Sequence, residues 1–554
     1  MGDTTPTREI FLNFPLWMQL VFYVVSFLAS LIFLFGFYRR FQKYRRGRPV
    51  NRFDNLSHRI RHAAALIMAN STVRKRDAFA GFAHFLIFWG FTFLFIGTAI
   101  VFLDHDILRF MGISILKGTF YLWFSVILDI WGVLFLVGLL LMGIRRLTFK
   151  LPQLDYTRAD DQNGKYDRSG FVSDDLIFLV LLFVIGLTGF FIEGFRIAQT
   201  MPEFEHWSPV GWAIASSMQN LDTASLVELH KWTWWTHALF VMFFIAYIPF
   251  SKIMHIFTDT ANLVFTNATD AARSLPPLPD PVETNGKKPA LPPMGYTQIT
   301  DFTWKELLDF DACTKCGRCH AACPANAAGT TLSPRDLILD LRTFANETFS
   351  TREWLKQKFF KGSKWPLANG KATDETLKID VPLKVIRPET LWSCTTCMAC
   401  MENCPVGIEH LTSIVQMRRH LVDLGEMDDN LQNALMSLGD YGNSFGQSPK
   451  ARAKWTRGLP FKIKDARREK VEYLWYVGDF ASYDPRLQRI SQTVAEVLQH
   501  AGVDFGILYD AEKNSGNDVR RVGEEGLYEM LVEDNTATLK KAKFKEIFTT
   551  DPHT

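Results

Sequence analysis

The first half of the chain alternates long uncharged runs with short charged ones. Five runs rich in Phe, Leu, Ile and Trp fall near residues 16–38, 79–103, 119–143, 174–198 and 229–256. Each can cross a hydrocarbon core of about 30 Å, which takes roughly 20 apolar residues in a helix. The stretch Trp207 to Leu221 is amphipathic and shorter, so it is predicted to be interfacial or re-entrant. The first run is followed by Arg39 and Arg40 and lacks the marks of a cleaved secretory leader, so it reads as a retained helix. Beyond residue 265 the pattern changes. Ser274 to Pro293 is too Pro-rich to pack a core and is predicted to be an extended spacer. Helical periodicity returns near 300–440. From Arg467 onward strand and helix signals alternate: Tyr473–Val477, Arg486–His500, Phe505–Tyr509, Gly526–Lys541 and Glu546–Thr550. That alternation predicts a small parallel sheet.

These patterns divide the 554 residues into a membrane unit (1–265), a linker (266–299), a helical arm (300–440) and a C-terminal α/β unit (467–554). The expected fold class is mainly α. Loop charges orient the membrane unit. A dense basic run follows the first span (Arg39, Arg40, Lys43, Arg45, Arg46, Arg48, Arg74, Lys75, Arg76), and Arg145 and Arg146 follow the third. The loop after the second has only Arg109 and Lys117, beside Asp104 and Asp106. The bias places the N-terminus outside a cell inner membrane and the arm in the cytoplasm. The formal net charge of +3 says little about partners, and no basic stretch with interleaved aromatics suggests nucleic acid.

All eight cysteines lie between Cys313 and Cys404. Cys313, Cys316, Cys319 and Cys323 follow C-x2-C-x2-C-x3-C before Pro324, and Cys394, Cys397, Cys400 and Cys404 repeat it before Pro405. Three thiolates at this spacing wrap one cubane cluster, and the fourth cysteine ligates the other cluster. The expectation is two 4Fe-4S clusters, one held by Cys313, Cys316, Cys319 and Cys404, the other by Cys394, Cys397, Cys400 and Cys323. Zinc is the alternative, but zinc pairs are commonly widely separated C-x2-C units. Dense cysteines in place of a spread disulfide framework also suit a reducing compartment.

Ionisable residues inside spans are costly and suggest function. His84 lies near the inner end of the second span, and His237 and His255 flank the fifth. On one continuous helix the 18 residues between His237 and His255 make five turns, which would put both rings on one side. Imidazoles near opposite membrane faces suit axial ligation of haem iron, and interhelical hydrogen bonding is the alternative. His230, seven residues before His237, reads as hydrogen-bonded or quinone-side. Glu193 and Arg196, one turn apart on the fourth span, read as a local ion pair or as quinone-side groups. No G-x-G-x-x-G follows a strand, so no flavin or nicotinamide site is expected here.

The pattern H-x11-PFSK-x2-H from His237 to His255 resembles the gamma subunit of respiratory nitrate reductases, a five-span dihaem cytochrome b. That resemblance implies haem b ligated by His84 and His255 near the cytoplasm, and an outer haem on His237. The family's second histidine on the second span is here Leu94, leaving His105 and His230 as spare imidazoles. The cysteine motifs resemble the iron–sulfur module of heterodisulfide reductases. The last unit looks like half of a CCG domain whose cluster cysteines are replaced, at Asp479, Asn514-Ser515-Gly516 and Asp551-Pro552-His553-Thr554. The family would continue into a second half, so the sequence reads as truncated. Together these parts resemble the membrane-bound, menaquinone-linked electron transfer flavoprotein–quinone oxidoreductases. The resemblance implies electron flow from a cytoplasmic electron transfer flavoprotein, carrying FAD, through two clusters and haem b to menaquinone. Two rivals stay open: a menaquinol-oxidising thiol or heterodisulfide reductase subunit, and a pure membrane relay subunit.

Overall fold

The computed structural model describes residues 5–149, 151–157, 170–267, 275, 282–284, 287–290, 294–349 and 380–554. Among them, five helices are long and apolar enough to cross a membrane: Leu16–Tyr44, Ala78–Met111, Gly118–Thr148, Ser173–Ala198 and Thr223–Phe250. The regular helices longer than one turn in this unit are α1 (Leu16–Tyr44), α2 (Leu56–Met68), α3 (Ala78–Phe102), α4 (Gly118–Thr148), α5 (Gly170–Ala198), α6 (Pro209–Ser217), α7 (Thr223–Tyr247) and α8 (His255–Phe265). Asp77 caps α3 by accepting from Ala80 N at 2.9 Å, so the helix starts where its apolar run starts. Helices α3 and α4 approach closely through small residues: a Cβ on Gly90 would meet Phe135 at 2.6 Å, and one on Gly138 would meet Leu86 at 2.9 Å. Leu20, Val24, Phe27 and Leu31 on α1 stay exposed, as a lipid-facing surface requires. The segment expected to be interfacial forms α6, a helix of nine residues.

The expectation of one helix through His237 and His255 is corrected. Helix α7 stops at Tyr247, and two 3-10 turns, Ile248–Phe250 and Lys252–Met254, separate it from α8. Pro249 is the cause, because it has no N–H to donate and its ring strikes the preceding turn. The break is tightly used: a Cβ on Gly36 of α1 would meet Pro249 at 2.4 Å, and Arg40 Nε donates to the Pro249 carbonyl at 2.9 Å. The two rings therefore do not share one helical stripe.

Of the predicted extended spacer, the described residues include β1 (Val282–Thr284) and β2 (Lys287–Ala290), which pair antiparallel; most of Ser274 to Pro293 lies outside the described residues. The arm packs α9 (Trp304–Ala312), α10 (Arg318–Ala322), α11 (Pro334–Thr348), α12 (Ala399–Asn403) and α13 (His410–Asp423) around a core that includes Phe302, Phe310, Leu341, Leu391 and Met417, while α14 (Asp429–Tyr441) packs Leu438 against Val519 and Leu531 further along the chain. The C-terminal unit has β3 (Lys464–Asp465), β4 (Tyr473–Tyr476), β5 (Phe505–Ile507) and β6 (Glu546–Thr549), with α15 (Pro485–His500) and α16 (Glu525–Lys541). Its strands run parallel in the order β3-β5-β4-β6. Trp455 and Ile463, upstream of the strands, pack in its core with Trp475 and Phe505.

Candidate functional site: two cysteine rings beside a histidine pair

The two cysteine motifs fold identically where it matters. Residues Lys315 and Gly317 of the first are left-handed, and so are Thr396 and Met398, the equivalent positions of the second. A β-branched residue such as Thr396 avoids that region unless the surroundings impose it. The turn aims backbone N–H groups at sulfur: Thr396 N reaches Cys394 Sγ, and Ile408 N reaches Cys404 Sγ, each at 3.4 Å. Each motif then enters a one-turn helix, α10 or α12, and ends in an extended cysteine before proline. All eight thiols are free of disulfides.

The fourth cysteine of each motif crosses over. Cys404 feels Cys316 and Cys313, while Cys394 and Cys400 feel Cys323. Cys323 also lines one cavity with Cys394, Cys397 and Cys400. Burial pushes the Cys394 thiol up, and Cys323 and Cys397 beside it add to the rise, so these sulfurs need a cation to hold their charge. Cationic side chains stand close by. Arg342 donates to the Cys313 carbonyl at 2.8 Å, and Arg418 donates to the Cys394 carbonyl at 2.6 Å. Among the described residues, no three His, Cys, Asp or Glu side chains converge on a single metal ion. A donor set of thiols, N–H···S bonds and nearby cations suits iron–sulfur clusters.

The three candidate haem histidines share one feature. The Nδ1 of His84 bonds Asn70 Oδ1 at 2.8 Å, that of His255 the Lys252 carbonyl at 2.8 Å, and that of His237 Thr188 Oγ1 at 3.0 Å. Thr188 Oγ1 itself donates to the Val184 carbonyl at 2.7 Å, so it accepts from the ring. Each ring thus holds its proton on Nδ1 and keeps the Nε2 lone pair for a metal, the arrangement metal-ligating histidines favour. The Lys252 carbonyl, in the turn after the Pro249 break, also accepts the His255 backbone N–H. His84 and His255 stand in each other's field, although they lie on different helices. His237 faces Gly189 of α5 instead. Leu94 packs in the membrane core with Phe135 and Phe244.

The histidine pair and the first ring are neighbours. Arg318, beside Cys319, acts on His84, and Asp259, one turn after His255 on α8, acts on Cys313. Asn262 of α8 donates to Asp309 Oδ1 at 2.8 Å and to the Val406 carbonyl at 2.9 Å, pinning that helix under both motifs. Cys397 of the second ring is exposed.

Glu193 and Arg196 do not form the simple local pair that their spacing allows. Arg196 Nη1 bonds Glu205 Oε1 at 2.6 Å, and Tyr121 OH donates to the same oxygen at 2.8 Å. Glu193 contacts Asp129 of α4 instead. Glu205 and Tyr121 escaped the sequence reading because their pairing is tertiary. His230 is 2 % exposed, and its Nδ1 has no partner among the described residues. His105 leans on Asp106 at 3.4 Å. In the C-terminal unit the three cysteine-less segments meet. Asn514 Nδ2 donates to Asp479 Oδ2 at 2.8 Å, Arg452 bridges Asp479 and Glu512 at 2.7 and 2.9 Å, and Asp551 abuts Gly478. Salt bridges fill that place.

Fold and site define a membrane-anchored iron–sulfur electron-transfer oxidoreductase. Residues 305–405 match a 4Fe-4S dicluster domain. The chain is 31% identical to the EtfAB:quinone oxidoreductase of Syntrophomonas wolfei subsp. wolfei, over all of this chain and 76% of that protein. It is 32% identical to the probable iron-sulfur-binding oxidoreductase FadF of Bacillus subtilis, over 96% of this chain and 75% of that one. Similarity at 29% identity extends to one component of the dihydromethanophenazine:CoB--CoM heterodisulfide reductase of Methanosarcina mazei, over 45% of this chain and 56% of that component. No solved structure matches. The chain belongs to the EtfAB:quinone oxidoreductase-like family of quinone-linked iron–sulfur oxidoreductases.

Proposed function

We propose that the chain takes electrons from a reduced flavoprotein at the exposed Cys397 edge and delivers them to a membrane quinone. The observation that carries this is the unbroken series of neighbours from the second cysteine ring through Cys323 to the first, and from Cys313 and Arg318 to His255 and His84. Clusters and haem b carry one electron at a time, which is what splits a flavin's pair for a quinone. The chain's own part is positioning. Cys313, Cys316, Cys319 and Cys404 hold one cluster; Cys394, Cys397, Cys400 and Cys323 hold the other. His84 and His255 offer Nε2 to haem b on the arm side, and His237 does so for a second haem toward the other face. Glu193 and Arg196 lie on the quinone side. The printed name of the S. wolfei relative couples Etf to quinone, which supports an electron transfer flavoprotein carrying FAD as donor; menaquinone is the proposed acceptor. The N-terminus lies outside the inner membrane and the arm in the cytoplasm, as the basic loops favour. Electron flow toward a thiol substrate is disfavoured, since Arg452 and its carboxylates fill the place where such chemistry keeps its cysteines.

The test mixes reduced electron transfer flavoprotein, the purified chain and a short-tailed naphthoquinone. Quinol should form only with the chain present, together with a reduced b-type band. Intact clusters without quinol would overturn the reading.

A further inference from the structure

At the end of the membrane unit away from the cysteine arm, two carboxyls meet inside the helical bundle. Asp129 is 3 % exposed, eleven residues into α4, and its side chain hydrogen-bonds that of Glu193 on α5. Two carboxylates in such contact cannot both be ionised, so the pair holds one proton. The backbone reaches only one of the two. Asp129 Oδ2 accepts from Val210 N at 2.8 Å, and Gly211 N also bonds the Asp129 carboxyl, both at the first turn of α6. Backbone donors and the α6 N-terminus hold the Asp129 carboxyl against half-buried Glu193, and the proton is shared between the two. Gly211 is fitted to this: a Cβ there would meet Glu193 Oε2 at 2.9 Å.

A second, independent feature points to a ligand. Arg196 is 8 % exposed and His230 2 %, yet Arg196 Nε and His230 Nδ1 have no partner among the described residues. Arg196 stands in the field of Glu193, and His230 in that of Arg196. Buried donors without acceptors are costly, which is the condition a ligand oxygen relieves. Besides the pair, the charged or titratable groups around the place are Arg196, Tyr121 and Glu205, with His230, Arg8 and Lys231 behind them.

We propose that Asp129 and Glu193 are the proton-exchange pair of the quinone site, and that Arg196 and His230 hold a carbonyl oxygen of the quinone head. This rests on the quinone reading above and deepens it. The quinone takes two electrons from the chain's oxidoreductase reaction and two protons. The carboxyl pair gives the first proton, is reprotonated from the aqueous face, and gives the second by the same route. Both quinone carbonyls become hydroxyls.

The test uses the full chain in membranes with a short-tailed naphthoquinone. Glu193→Gln and Asp129→Asn should each lower quinol formation by roughly 10²-fold, the usual worth of a positioned proton donor. The pH profile should lose its limb, while donor-driven cluster reduction and cluster content stay at the wild-type level. If wild type makes quinol and both variants keep its rate and pH profile, this inference fails alone. If wild type makes none, the quinone reading fails and takes this with it. A measurement without variants stands beside these. The protonated carboxyl band in the infrared should shift when the naphthoquinone binds, and a band indifferent to the ligand would overturn the proposal.

Discussion

Lys43, near the end of the first membrane helix, donates to Asp311, two residues before the first cluster cysteine, at 2.6 Å. Arg40 reaches the same carboxylate at 2.8 Å and Tyr44 OH at 2.7 Å, and no part of the Asp311 side chain is exposed. Burial alone would raise the Asp311 carboxyl, but Arg40 and Lys43 hold it well below the usual carboxylate range. This cluster fastens the arm to the bundle. Asp311→Ala takes the carboxylate from buried Lys43 and half-buried Arg40 and should cost about 3–5 kcal/mol. Limited proteolysis should cut between bundle and arm faster, and electrons from reduced clusters should reach the proposed membrane haem more slowly.

The crossed pairing of cysteines predicts matched lesions. Cys323→Ser and Cys397→Ser should damage the same paramagnetic signal, and Cys404→Ser and Cys316→Ser the other. Each loss should remove about four of eight irons if serine fails to hold the cluster. Matching of Cys323 with Cys316 would instead mean that each motif closes on itself.

His84→Ala and His255→Ala should abolish one and the same b-type band in reduced-minus-oxidised spectra. His237→Ala should spare that band. Asn70→Leu removes the acceptor for His84 Nδ1 and should weaken haem retention by roughly 10–100-fold, read as haem per protein after purification.

His410, buried under the second motif, keeps its ring neutral: burial pushes it down to about 4, while its Nδ1 bonds the Ile408 carbonyl at 3.1 Å. An unfolded histidine titrates near 6.5. Between these values the unfolded chain binds a proton that the folded arm refuses, so stability falls as the pH drops from about 6.5 to about 4. The loss is on the order of 3 kcal/mol. Thermal melts across that window should show it, and His410→Gln should flatten the slope.

Arg418 packs its guanidinium over Trp392 at 5.1 Å and binds the Cys394 carbonyl. A positive charge there favours the reduced, more negative cluster. Arg418→Gln should lower the potential of the second cluster and leave the first unchanged, as followed by potentiometric titration of the paramagnetic signals.

The spans and the cysteine motifs were legible because each is local: an apolar run of set length, or thiols at fixed gaps. The helix break was also written in the chain, since Pro249 sits between His237 and His255, but five even turns concealed it. What pairs with what was not legible. Arg196 takes Glu205 rather than Glu193, and Glu193 takes Asp129 from another helix, because packing brings together groups that spacing keeps apart. Asp129 is visible in the chain as an acid within an apolar run, but neither its partner nor its bond from Val210 N is. The left-handed Thr396 likewise follows from wrapping sulfur around a cluster, not from any preference of threonine.

The proposed exchange of fourth cysteines between motifs also sets a timetable for biosynthesis. Cys323 emerges from the ribosome long before Cys394, and Cys404 is the last of the eight to be made. Neither ring has its full complement of sulfurs until the second motif has been translated. Iron delivery therefore waits for both motifs to leave the ribosome, and by then the five apolar helices have already been handed to the bilayer.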